Sequence, residues 1–73
     1  MTDEARNEYA VEMSRAEHGW RVDIIDPHGA VAWSRACRDR SEAQSFASTV
    51  QQHIFWLSPT KFRHYYKLPE PAS

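Results

Sequence analysis

From Tyr9 the chain alternates between large apolar and polar side chains. Tyr9, Val11 and Met13 fall on one face, and Glu8, Glu12 and Ser14 on the other. This period of two predicts a half-buried strand over about residues 8–17. His18-Gly19 supplies a two-residue hairpin turn, because glycine accepts a positive φ at little cost. Trp20, Val22 and Ile24 form the next apolar row, with Arg21 and Asp23 opposite, predicting a strand over about 20–26. Asp26-Pro27-His28-Gly29 is a strong turn, since proline fixes φ at its second position and Asp and Gly suit the ends. A third strand follows over about 30–36, with Val31 and Trp33 on one face and Ala30, Ala32 and Ser34 on the other.

Pattern also selects register. Pairing Ile24 with Val31, Val22 with Trp33 and Met13 with Ile24 gathers the large apolar side chains on one face, whereas a slip of one residue scatters them. The expectation is a three-stranded antiparallel β-meander with one apolar face. The period then changes. Ala43, Phe46, Ala47, Val50, Ile54 and Leu57 recur at helical spacing and predict a helix over about 42–56 lying across that face. Ser41-Glu42-Ala43-Gln44 reads as its capping box. Ser58-Pro59 predicts a short second helix over about 59–67, because Ser caps well and Pro is tolerated at the first helical position. The fold class is therefore α+β in a single small domain over 1–73, with 1–7 and 68–73 expected to be flexible.

Composition adds constraints. With 73 residues the core is near the lower size limit for independent stability, and three Trp, three Tyr and three Phe enlarge it. Cys37 stands alone, which excludes an internal disulfide and suits a reducing compartment. The start MTDEARNEYA is acidic and lacks the apolar run of a signal peptide, and no stretch is apolar for long enough to cross a bilayer. A cytoplasmic location is expected. Net charge is −1, but residues 1–30 carry seven acids against three arginines (−4), and residues 31–73 carry six cations against three acids (+3). An anionic partner would meet the second half.

Catalytic chemistry finds no support. His18, His28, His53 and His64 show no ligand spacing with one another or with Cys37. Asp23 and Asp26 cannot share one sheet face, so no acid–base pair forms. Gly19 and Gly29 are too few for a phosphate loop. Cys37 reads as a buried or incidental thiol and not a nucleophile. The sequence predicts a protein that is not an enzyme, with no catalytic residue, metal or cofactor.

Two partner surfaces stand out. Phe55, Trp56, Lys61, Phe62, Arg63, Tyr65, Tyr66 and Lys67 interleave aromatic and basic side chains. They read either as the last part of the core or as a protein-binding surface. The nucleic-acid alternative uses Arg35, Arg38, Arg40, Lys61, Arg63 and Lys67 on phosphates, with bases stacked on the tyrosines. Unpaired outer strands and the small core also make a homodimer an economical arrangement.

The order of strand, Gly19-Trp20 strand, Asp26-Pro-x-Gly29 turn, strand and Ser-Glu-Ala helix resembles the HicB-like antitoxin domain, a truncated RNase H-like sheet. The residues carrying the likeness are Tyr9, Val11, Gly19, Trp20, Val22, Asp26, Gly29, Glu42 and Ala43. The AP2-like three-stranded domain at the N-terminus of tyrosine recombinases is similar in its strands and following helix. Either likeness spans about residues 9–56. The first implies a regulatory antitoxin role, the second DNA contact by the sheet. HicB-like chains continue with a further strand and usually a DNA-binding segment, where this chain has WLSPTKFRHYYKL. AP2-like readers carry a basic sheet, and here it is mixed or acidic. The expected function is a small non-enzymatic interaction or regulatory module.

Overall fold

A computed structural model describes residues 7–69. Three strands, β1 (Ala10–Ala16), β2 (Gly19–Ile25) and β3 (Val31–Cys37), form an antiparallel sheet in the order β1-β2-β3. Helix α1 (Arg40–Trp56) and the short helix α2 (Pro59–Tyr66) follow. The α+β meander expected from the pattern is the fold observed. The parts of the expected flexible ends at residues 1–6 and 70–73 lie outside the described residues. Within them, Leu68 is buried in the core, and the Asn7 side chain donates to the Leu57 carbonyl at 3.0 Å.

Both registers differ from expectation by two residues, except at Val31, where the difference is one. Met13 pairs with Val22 and Val11 with Ile24, because the first turn is Glu17-His18, flanked by the pair Ala16 and Gly19. Moving a two-residue turn by one position moves the register by two, which keeps every side chain on its face. Gly19 is thus the first residue of β2, with φ +146°. A Cβ there would sit 2.6 Å from the Cys37 carbonyl oxygen, so the backbone of β3 approaches where only glycine fits.

The second hairpin is set by Asp26, whose Oδ1 accepts from the His28 and Ala30 amides at 2.9 Å each. The backbone closes the loop through Gly29 N–H to the Asp26 carbonyl and Asp26 N–H to the Ala30 carbonyl. Ile25 then pairs with Val31 but Ile24 with Trp33, leaving Ala32 as the extra residue of a bulge. The bulge corrects the expected faces at the start of β3. Val31 turns to the outer side and is exposed, while Ala32 packs against the core.

Helix α1 begins two residues earlier than expected. Asp39, not Ser41, is the N-cap: its Oδ1 accepts from the Glu42 amide at 2.8 Å, and Glu42 Oε1 accepts from the Arg38 amide at 2.6 Å. A carboxylate accepts these bonds more strongly than a hydroxyl and complements the positive helix end. The buried stripe Ala43, Val50 and Ile54 covers Val22 and Ile24 of the central strand. Trp33 and Phe46 stack with centroids 5.5 Å apart. Cys37 is buried in the same layer, as expected of a structural thiol.

Gly19→Ala should lower the unfolding free energy by about 2 kcal/mol or more, since both backbone strain and a carbonyl clash oppose it. Gly29→Ala has open space around it and should cost only the left-handed backbone penalty of about 1–2 kcal/mol. Urea denaturation of both variants checks the order; equal losses would contradict the close approach at Gly19.

Candidate functional site

The residues Phe55 to Lys67 lie at the end of α1, in the connection and in α2. Leu57 ends α1 in an extended conformation. Ser58 then caps α2, its Oγ accepting from the Lys61 amide at 3.3 Å, with Pro59 in the first turn. The reading of Ser58-Pro59 as a helix start is borne out. Lys67 stops the helix at φ 55°, ψ 47°. Its amide points to the His64 carbonyl, and the Leu68 amide bonds the Arg63 carbonyl at 2.8 Å. This is a Schellman turn with lysine in the place glycine favours, and it steers Leu68 into the core.

The aromatic residues divide into two groups. Phe62 is fully buried, its ring 5.1 Å from Tyr9 and 5.0 Å from Tyr66. It belongs to the core and offers nothing to a partner. Tyr66 is half-buried, with an edge contact to Trp33 and its hydroxyl 2.7 Å from His53 Nδ1. Burial, with Tyr65 beside it, pushes the Tyr66 phenol above the ordinary tyrosine value. Its contact with His53 joins α2 to α1. Phe55, Trp56 and Tyr65 are 82%, 70% and 61% exposed. At about 100° per residue, Phe55 and Trp56 project away from the Val50–Ile54 stripe on either side of the outermost line of α1.

The exposed rings line two separate grooves. Tyr65 lies over His53 at 4.6 Å, and His53 precedes Trp56 by three residues, so the two share a helix flank. Phe55 and Trp56 line a shallow groove with Ser48, Gln51 and Gln52. Tyr65 lines another, with Leu57, Thr60, Lys61 and His64.

The cations separate. Arg35 stacks on Phe46 at 4.7 Å, and Arg38 and Arg40 sit at the junction of β3 and α1. Lys61 and Arg63 lie on α2, and Lys67 caps it. Asp23, on the outer sheet face, is buried through its bonds to Ser34 Oγ at 2.6 Å and Arg21 Nε at 3.1 Å. Among the described residues, no three His, Cys, Asp or Glu side chains gather as metal ligands, and no helix is long and apolar enough to cross a membrane. No family model, curated protein or solved structure matches the chain.

Truncation separates the two aromatic roles. Phe62→Ala should cost about 3–5 kcal/mol, whereas Phe55→Ala should change stability by no more than about 0.5 kcal/mol. Comparable losses in thermal unfolding would mean that Phe55 is a core residue after all.

Proposed function

We propose that the chain is a small non-enzymatic interaction module, working through the rings that α1 and α2 leave in solvent. The observation that carries this reading is the adjacent pair Phe55 and Trp56, exposed on one helix whose core stripe is complete without them. Neither ring belongs to the core clusters, and adjacent exposed rings are what a partner would cover. Trp, Tyr and Phe are the residue types that anchor protein interfaces. Homodimerisation belongs to the same reading but uses different surfaces. β1 and β3 each pair on one side only among the described residues, and the exposed Val31 of β3 would be covered by strand addition.

A nucleic-acid-associated or HicB-like antitoxin role is the second reading. Tyr65 beside Lys61 favours it; the net charge of −1 weighs against it.

The test is affinity capture from the source cell with the natural chain and with a Phe55→Gln/Trp56→Gln variant, both folded. The module reading expects a discrete set of proteins that the variant loses. Equal recovery by the two chains, or recovery of nucleic acid alone, would overturn it.

A further inference from the structure

Thr60, Arg63, His64 and Lys67 recur at i, i+3, i+4 and i+7 and line one groove with Leu68. Each polar side chain in that lining can donate a hydrogen bond, two carry a fixed positive charge, and none is an acid. Arg63 is the one arginine among the described residues that is not exposed. It also differs from the others in its company. Arg21 pairs with Asp23, Arg15 stacks on Trp20 and Arg35 stacks on Phe46. No described carboxylate lies within ion-pair distance of Arg63 or Lys67. Glu8, exposed just before Tyr9, lines neither this groove nor its neighbour. A half-buried guanidinium without an acceptor is costly, and a groove that offers only donors is completed by an anion.

The lining bears on which anion fits. One guanidinium fork satisfies both oxygens of a carboxylate. A phosphate monoester brings three terminal oxygens and close to two charges, which suits a guanidinium and an ammonium with a hydroxyl and an imidazole beside them. A phosphodiester inside nucleic acid brings one charge and two free oxygens, and would fill less of the set. The groove of Leu57, Thr60, Lys61, His64 and Tyr65 shares Thr60 and His64 with the first, so the two adjoin along α2. Leu57 and Tyr65 give it apolar walls, against which the chain that carries the phosphate can continue.

We infer that α2 binds the phosphate monoester of a phosphorylated protein segment. Arg63 and Lys67 hold the phosphate, Thr60 and His64 donate to its remaining oxygens, and an apolar side chain of the segment lies against Tyr65 and Leu57. From the module reading this takes only that the partner is a protein; Phe55 and Trp56 have no part in it.

The experiment measures fluorescence anisotropy of short degenerate peptides centred on phosphoserine, and of the same pool unphosphorylated, with the full chain. The phosphorylated pool should bind about tenfold tighter, and that margin should vanish in a folded Arg63→Gln/Lys67→Gln variant. It should persist in Arg38→Gln/Arg40→Gln, which removes the same charge elsewhere, and in Phe55→Gln/Trp56→Gln, so this inference and the module reading fail separately. On the natural chain, the phosphorylated pool should shift the amide resonances of α2. Equal binding of the two pools, equal loss in the Arg38/Arg40 control, or resonance shifts confined to other elements would overturn the inference. So would displacement of the pool by random single-stranded DNA, or by inorganic phosphate, at lower concentration. Glu70 follows Lys67 by three residues and lies outside the described residues, so Glu70→Gln is measured as well. Binding about tenfold tighter in that variant would mark the groove as the seat of the chain's own carboxylate and overturn a partner's phosphate.

Discussion

The contact on which the arrangement depends is the burial of Phe62 between Tyr9 and Tyr66. Tyr9 comes just before β1, and Phe62 lies in the middle of α2, so one pair of rings ties the start of the sheet to the last helix. In a chain this short, an eight-residue helix has little stability of its own and holds only where it docks. With Phe62 inward, helical geometry fixes the rest of α2. Tyr66 follows on the same side, and Lys61 and Tyr65 are left in solvent. Leu68, turned inward by the left-handed residue Lys67, closes the same cluster. The exposed surface is therefore a consequence of the core: the ring that anchors α2 decides which rings it cannot bury.

The two halves of the molecule then divide their work. The hairpins, with Gly19 under the β3 backbone and Asp26 holding the second loop, supply a rigid sheet. One face of that sheet receives α1, and its small polar outer face is held by Asp23, Ser34 and Arg21. What remains outward are the rings of Phe55, Trp56 and Tyr65.

Most of the architecture was legible in the sequence because periodicity is a strong signal. Alternation over Tyr9–Met13 and Trp20–Ile24, the helical recurrence from Ala43 to Ile54 and the Ser58-Pro59 start placed every element boundary within two residues. Register was not legible, because a shift of two preserves the same apolar face, and the pattern cannot distinguish the two pairings. The choice came from Gly19, whose role is close approach to Cys37 and not a turn, and from the extra residue at Ala32. The N-cap was missed for a related reason: Asp39-Arg-Ser-Glu42 and Ser41-Glu-Ala-Gln44 both fit a capping box, and only the stronger acceptor is used. In the aromatic segment the sequence could offer core or surface for the whole group. The structure shows that the group is mixed, with Phe62 in the core, Tyr66 between, and Phe55, Trp56 and Tyr65 outside.

The most direct measurement of this division is one solution NMR experiment on the isotopically labelled chain. It would record aromatic NOEs together with broadening by a soluble paramagnetic probe. The account predicts NOEs between the rings of Tyr9 and Phe62, whose centroids are 5.1 Å apart. It also predicts strong broadening at Phe55, Trp56 and Tyr65, with Phe62 protected. A missing Tyr9–Phe62 NOE, or a Trp56 indole as protected as Phe62, would contradict it.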